Sequence, residues 1–432
     1  MIGEIIAIGD ELTSGRILNS TSYFAASQLF GAGHEIIAMS TIGDTAEGIG
    51  ISLKRALDRS DFVIVTGGLG ATSDDLTNEA VAEALGRPVT FYPELFETIC
   101  TGFPQDDLSG GTGTLGQPGG LLPLSRPQLE KLAWLPEGAI ILKPGARMAG
   151  YMLVHNERPI FFLPGVPYEM KELLVDRVIP FLDARTDKKA RHVSQKVYKV
   201  FGLPEIEINR VMKRLEGQDA RIRIGYYPVF PEVHVSLSVF GETRAENGML
   251  FKQYDLEIMA ILSHHVYGVD DESLETVLAA LLRKRKLRVA VAESCTGGLV
   301  SHKFTKVPGS SEYFMGGVVA YNNELKERLL GVSVDTLSQF GAVSGPVAQA
   351  MARGALALIP ADYALSVTGI AGPDGGSREK PVGTVYIGLA TRFETRDFLY
   401  RFSGNRWQVQ ALSTFTALEL LRRKLLGLPL VD

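Results

Sequence analysis

Cysteine is scarce in this chain of 432 residues: there are only two, Cys100 and Cys295, far apart in sequence. That excludes a disulfide framework and a thiolate zinc cluster, and it suits a reducing compartment. An excess of positive charge is also lacking. The formal net charge is −5, so no global field draws the chain to nucleic acid or to an anionic membrane. No apolar run approaches the roughly 20 residues that a membrane-spanning helix needs, so no membrane partner is expected. The chain opens directly on an apolar strand over 2–8, without a basic segment leading into a signal-type core, and the expected location is the cytoplasm. Internal repeats and low-complexity tails are missing as well.

What remains is ordinary for a globular protein, with 45% apolar and 22% charged residues. The length is too great for one core and suggests two or three domains. Over 1–182, short apolar strands (2–8, 35–39, 62–66, 139–142, 160–163) alternate with amphipathic helices (22–30, 47–57, 78–85, 168–182). This rhythm predicts an α/β domain on a parallel sheet, with its ligand site at the carboxyl ends of the strands. Gly, Pro, Ser and Asp crowd 101–127 and suggest a long excursion or lid. A polar linker over 183–191 leads to a small α+β module over 192–268, with strands at 193–200, 221–227 and 232–240 and helices at 205–215 and 248–263. After a hinge at 268–272, a third α/β domain spans 273–428. Its strands fall at 287–291, 317–321, 363–367 and 383–390, and its helices at 347–358 and 408–425.

The most informative stretch is Ala292-Glu293-Ser294-Cys295-Thr296-Gly297-Gly298, directly after the apolar run 287–291. A β-branched run, a small hydroxyl residue and two glycines read as strand, tight turn and helix start. Ser294 would stand clear of the backbone there. The N–H groups of Cys295, Thr296, Gly297 and Gly298 would be free to hold an oxyanion. A serine needs a base. His302, eight residues on, would lie two turns along the helix and face away. Lys326, in Tyr321-Asn322-Asn323-Glu324-Leu325-Lys326, can serve if it is desolvated, although by spacing alone it also reads as a solvent-facing lysine on a helix over 324–330. A third strand end carries Thr368-Gly369-Ile370-Ala371-Gly372-Pro373-Asp374-Gly375-Gly376, whose glycines allow close backbone approach to a ligand. Cys295 is a rival nucleophile, being intrinsically stronger than serine, or else a small core residue.

These residues carry a resemblance. The segment 293–422 resembles the C-terminal domain of the CinA (competence/damage-inducible) family, also found as a free-standing nicotinamide mononucleotide amidohydrolase. The matching stretches are A-E-S-C-T-G-G at 292–298, P-G-S-S-E-Y-F at 308–314, Y-N-N-E-L-K at 321–326, L-S-Q-F-G-A-V-S at 337–344, T-G-I-A-G-P-D-G-G at 368–376, K-P-V-G-T-V at 380–385 and F-S-G-N-R at 402–406. The resemblance implies hydrolysis of the nicotinamide carboxamide to nicotinate mononucleotide and ammonia, in pyridine nucleotide salvage, without a metal or other cofactor. It puts the nucleophile on Ser294 and the base on Lys326. Tyr321 and Asn323 are expected to orient the lysine. Thr368, Gly369, Gly372, Gly375 and Arg406 are expected around the substrate, with its phosphate on Arg406 or on the loop 369–376. One departure stands out: where the family commonly reads V-S-E, this chain has Val343-Ser344-Gly345, so a carboxylate is missing.

At the other end, Gly9-Asp10-Glu11-Leu12 closes the first strand, and Thr66-Gly67-Gly68-Leu69-Gly70 with Asp74 and Asp75 closes the third. Glycines beside carboxylates suit a phosphate-bearing ligand with a divalent cation between them. The pattern, with L-P-G-V-P-Y-E-M at 163–170, resembles the CinA N-terminal domain and the molybdopterin-binding domains related to it. Some members hydrolyse ADP-ribose there with a divalent metal, which would make Asp10 and Asp75 the metal ligands. The departures lie at 143–150 and at Val166. The middle unit, with Val200-Phe201-Gly202-Leu203-Pro204-Glu205, looks like the family's KH-type module. It has no basic G-x-x-G clamp, so a spacer or dimerisation role is expected rather than nucleic acid, and the family implies a homodimer. Three functions stay open at this stage: the amidohydrolase, the metal-dependent ADP-ribose pyrophosphatase, and a non-catalytic nucleotide- or molybdopterin-like binding protein.

Overall fold

The structure, a computed structural model, describes residues 1–102, 125–144, 150–185, 192–241 and 243–430. Most of the expected lid over 101–127, the turn at 145–149 and the linker over 186–191 lie outside the described residues. Its packing gives two compact units, Met1–Ser194 with Val239–Gly248, and Gln195–Ser238 with Met249–Asp432.

The first unit is built on β1 (Ile2–Ile8), β2 (Glu35–Ile42) and β3 (Phe62–Thr66). Two short strands, β4 (Val89–Phe91) and β5 (Trp134–Pro136), pair apart from the main sheet. β6 (Ile140–Ile141), β7 (Tyr151–His155) and β8 (Arg158–Leu163) complete that sheet in the order β2-β1-β3-β8-β7-β6. β1, β2, β3 and β8 run parallel, and the antiparallel β7 and β6 extend the far edge. β3 is buried at all five positions, as a strand covered on both faces must be. β7 was not visible in the sequence because its turn to β8 uses Asn156 and Glu157, both at positive φ (49° and 66°), a hairpin geometry that usually advertises itself with glycine.

In the second unit β9 (His192–Val200), β10 (Ile222–Val229), β11 (Glu232–Gly241) and β12 (Val266–Val269) form a sheet in the order β10-β11-β9-β12. The expected hinge at 268–272 therefore begins inside a strand, β12, which pairs with β9. Phe201 and Tyr267 pack on Phe415 of the C-terminal helix Arg406–Leu426, with ring centroids 4.8 and 5.6 Å apart.

The C-terminal sheet runs β14-β13-β15-β16-β17, from β13 (Val289–Glu293), β14 (Phe314–Val319), β15 (Tyr363–Gly369), β16 (Thr384–Thr391) and β17 (Thr395–Arg401). β13 lies between β14 and β15 and is parallel to both, whereas β16 pairs antiparallel with β15 on one side and with β17 on the other. Alternation along β13 divides its residues between two cores. Val289 and Val291 join the helices Leu274–Arg285, Leu299–Thr305 and Arg406–Leu426. Ala290 and Ala292 face the helix Gly345–Leu358, where small side chains let the helix approach the sheet. Past the strand end this alternation sends Glu293 and Ser294 to opposite faces.

Candidate active site

Glu293 and Ser294 meet different partners at the carboxyl edge of the sheet. Glu293 is fully buried, and its carboxylate accepts from the N–H groups of Gly298 (3.0 Å), Val300 (3.0 Å) and Ser301 (2.8 Å) and from the Ser301 hydroxyl (2.7 Å). It supplies the anion that the open start of the helix Leu299–Thr305 favours, and so fixes the turn that carries Ser294. Gly298, at φ 100°, permits the reversal. Sequence reasoning quoted Glu293 without giving it a role. The signal was there: a carboxylate ending a strand otherwise made of Val and Ala.

Ser294, 8% exposed, faces the helix Asn323–Leu330. There Lys326 is 1% exposed, with Nζ 3.2 Å from Ser294 Oγ. Burial holds the lysine below its ordinary pKa. Nζ also donates to the backbone carbonyls of Ala320 (2.9 Å) and Tyr321 (3.3 Å). Those carbonyls hold Nζ against the Ser294 hydroxyl, to which it also donates; a lysine that gives up its proton there would turn its lone pair to that hydroxyl. The lysine is thus a buried group at the end of an amphipathic helix rather than the solvent-facing residue that spacing alone allowed.

The expected supporting residues divide. Tyr321 orients Lys326 through its main-chain carbonyl, and its hydroxyl accepts from Arg406 Nη2 (2.9 Å). Arg406 Nη1 donates to the Gly372 carbonyl (2.8 Å), so the arginine joins two loops while no carboxylate pairs with it among the described residues. Asn323 is exposed and makes no side-chain hydrogen bond among the described residues; Asn322 caps the helix instead, through its side chain to Leu325 N–H. Thr368 is 1% exposed and donates its hydroxyl to the Ala342 carbonyl (2.8 Å), a structural engagement. A Cβ on Gly369 would stand 2.7 Å from Val385 Cγ2, so that glycine serves strand packing. Gly372 presents its carbonyl to the arginine, and Gly375 lies exposed at φ 88°.

The oxyanion cradle is narrower than the four residues expected. Gly297 N–H donates to Ser294 O (3.1 Å), and Gly298 N–H belongs to Glu293. The N–H groups of Cys295 and Thr296 are not engaged by another residue among the described ones. The Thr296 hydroxyl, two residues after Ser294, is buried without a partner among the described residues. Cys295 is packed in the core at 5% exposure; burial pushes its thiol up to about 12, which leaves it protonated near neutral pH. Its carbonyl accepts from Gln410 Nε2 of the C-terminal helix (2.7 Å). His302 is exposed on its helix.

In the first unit, Glu11, Asp44, Gly67, Gly68, Asp74 and Asp75 are among the residues lining a cavity of about 380 Å³ at the carboxyl ends of β1 and β3. Gly67 (φ 96°) and Gly68 (φ 66°) are required there, because a Cβ would stand 2.2 Å from Ile8 O and 2.1 Å from Thr77 Oγ1 respectively. Asp44, which sequence reasoning missed, has its carboxyl raised by burial, with Asp10, Glu11 and Asp74 adding like charge. Asp10 is not among the lining residues. Its carboxylate accepts from Asp44 N–H (3.2 Å) and its own N–H donates to the Asp44 carboxylate (2.8 Å). Asp75 Oδ2 is held by the N–H and hydroxyl of Thr72. No group of three or more His, Cys, Asp and Glu is arranged to hold a metal among the described residues. Asp10 and Asp75 supply two carboxylates at these strand ends, the number with which a magnesium-type ion completes its shell from phosphate and water.

Comparison with known proteins follows the same three segments. Residues 4–184 match the probable molybdopterin binding domain, 195–268 the damage-inducible protein CinA KH domain, and 271–425 the CinA C-terminal domain. A CinA-like protein of Desulfotalea psychrophila is 50% identical over 98% of both chains. The chain belongs to the CinA family. A putative competence-damage inducible protein of Caldicellulosiruptor bescii is 37% identical over 99% of this chain and all of its own. Among solved structures, the competence/damage inducible protein CihA from Agrobacterium tumefaciens is 41% identical, covering 34% of this chain and 91% of its own with a TM-score of 0.34. No helix among the described residues is long and apolar enough to cross a membrane.

Proposed function

We propose that this CinA-family chain hydrolyses the carboxamide of nicotinamide mononucleotide, giving nicotinate mononucleotide and ammonia. The observation that carries the reading is Lys326 Nζ, buried and depressed in pKa, 3.2 Å from Ser294 Oγ. Neutral Lys326 takes the serine proton as Oγ attacks the amide carbon. The N–H groups of Cys295 and Thr296, with the Thr296 hydroxyl, receive the oxygen that becomes negative. The C–N bond breaks, and the lysine returns its proton to the departing nitrogen, which leaves as ammonia. Water, deprotonated by the same lysine, then cleaves the acyl ester and restores Ser294. Arg406, held by two neutral acceptors, keeps its charge for the substrate phosphate.

The test is ammonia release from nicotinamide mononucleotide with EDTA present, comparing the parent chain with Ser294→Ala. Turnover that persists in EDTA and disappears in the variant is expected. A chain that releases no ammonia, or a variant that keeps the parent rate, overturns the reading.

For the N-terminal cavity, its size and glycine-lined floor support binding of a small molecule, and no hydrolytic step is assigned to it. Formation of AMP from ADP-ribose and a divalent metal, lost in Asp75→Asn, would assign one to it.

A further inference from the structure

The first turn of the C-terminal helix carries a large aromatic side chain that neither the core nor the proposed reaction uses. Trp407 follows Arg406 and is 62% exposed. Phe230, in the turn between β10 and β11, is 43% exposed, and its ring centroid lies 5.3 Å from that of Trp407 at 38°. Leaving an indole in water forfeits a large hydrophobic gain, so two half-open rings held together call for an occupant.

Their position follows from helix geometry. Trp407 and Gln410 are three residues apart and share a face of the helix. Gln410 Nε2 touches the carbonyl of Cys295, the residue after the nucleophile. Trp407 thus stands one turn outward from a side chain already seated on the nucleophile turn. Beside it, Arg406 reaches Tyr321, itself 58% exposed. The hairpin tip that brings Phe230 belongs to the middle module, whose Phe201 and Tyr267 are anchored on the same helix.

We propose that Phe230 and Trp407 form a stacking subsite for the pyridinium ring of the substrate, so that the middle module takes part in substrate recognition. This rests on the amidase reading of Ser294 and Lys326. N-glycosylation gives the nicotinamide ring a fixed positive charge, and the face of an indole is the best side-chain partner for a cation. Hydrolysis places a carboxylate on that ring and cancels its net charge. The subsite therefore favours the amide over the acid and helps the product to leave.

The chain has two tryptophans, Trp134 and Trp407, so Trp134→Phe makes Trp407 the sole indole. In that background with Ser294→Ala, titration with nicotinamide mononucleotide should quench the emission saturably. Phe230→Ala should shift the midpoint about fivefold upward, as expected for loss of one aromatic partner. In the chain with Ser294 intact, Trp407→Ala should raise KM about tenfold with kcat within about twofold, and Trp407→Phe should recover most of the loss. Both rings are solvent-exposed, so these variants should fold. Emission that does not respond to nucleotide, or an unchanged KM in Trp407→Ala, overturns the subsite. Quenching without ammonia release by the parent chain would overturn the amidase reading and leave the subsite standing. Ammonia release with KM and emission unmoved would do the reverse.

Discussion

The carboxylate of Asp397 occupies the space that a side chain on Gly345 would enter: a Cβ built there stands 2.3 Å from Asp397 Oδ2. Gly345 opens the helix Gly345–Leu358, and Asp397 reaches it from β17, held by the amide of Gln349. A carboxylate from another strand thus lies beside residue 345, at the start of a helix that favours negative charge. Alanine in place of glycine normally favours a helix by roughly 1 kcal/mol. Here Gly345→Ala should instead destabilise by about 1 kcal/mol, because Asp397 must move. Urea denaturation of Gly345→Ala against the same change in an Asp397→Ala background measures it, and a stabilised single variant would show that Asp397 yields freely.

Lys326 sets a second expectation, in which activity and stability move apart. Lys326→Met should lower the rate of ammonia release by about 100- to 10,000-fold, the usual contribution of a general base. The folded pKa lies below the ordinary 10.5, so between the two values the folded state binds fewer protons than the unfolded chain. Stability of the parent chain should therefore fall as pH falls through that window, and the methionine variant should lose this dependence. Its unfolding free energy at neutral pH should be unchanged or about 1 kcal/mol higher. The rate should rise with pH to a plateau, since the neutral amine is the active form, and Cys295→Ala should keep that profile. Loss of ammonia release in Cys295→Ala, with turnover kept in Ser294→Ala, would transfer the chemistry to the thiol.

Thr296 offers a cleaner separation of roles. Its hydroxyl is buried without a hydrogen-bond partner among the described residues, so replacing it with an isosteric methyl removes a desolvated polar group. Thr296→Val should thus leave the melting temperature equal or higher. If the hydroxyl stabilises the developing oxyanion, kcat should fall by about 10- to 100-fold with KM little changed. An unaffected kcat would leave the main-chain N–H groups of Cys295 and Thr296 as the cradle.

The sequence made β13, β15 and the loops after them legible, because a buried strand flanked by others writes a continuous apolar run and its end is marked by glycines; the loop after β14, an edge strand, was legible only through its Y-N-N-E-L-K motif. It hid β17, an edge strand in which Arg396 and Asp397 interrupt the pattern, and β7, whose hairpin uses no glycine. Ser294 and Lys326 were nameable as a pair from their motifs. Their depth was not, since a lysine on an amphipathic helix looks the same in sequence whether its amine meets water or buried backbone carbonyls. The partners of Gly345, Arg406 and Cys295 come from distant segments and leave no local trace.

Glu293 is where fold and chemistry are hardest to separate, and substitution there can distinguish them. Its four donors lie at the start of the helix Leu299–Thr305, so Glu293→Gln keeps the shape while turning one acceptor oxygen into an amide donor facing an N–H. The lost charge-assisted bonds should lower stability by about 2–3 kcal/mol. If the carboxylate acts only by anchoring, kcat should drop with the loosened turn while the pH profile set by Lys326 stays in place. A displaced profile would mean that the negative charge of Glu293 also bears on the lysine, across the sheet edge that separates them. Recording rate against pH for Glu293→Gln, beside its unfolding curve, therefore distinguishes a scaffold for the nucleophile from an electrostatic partner of the base.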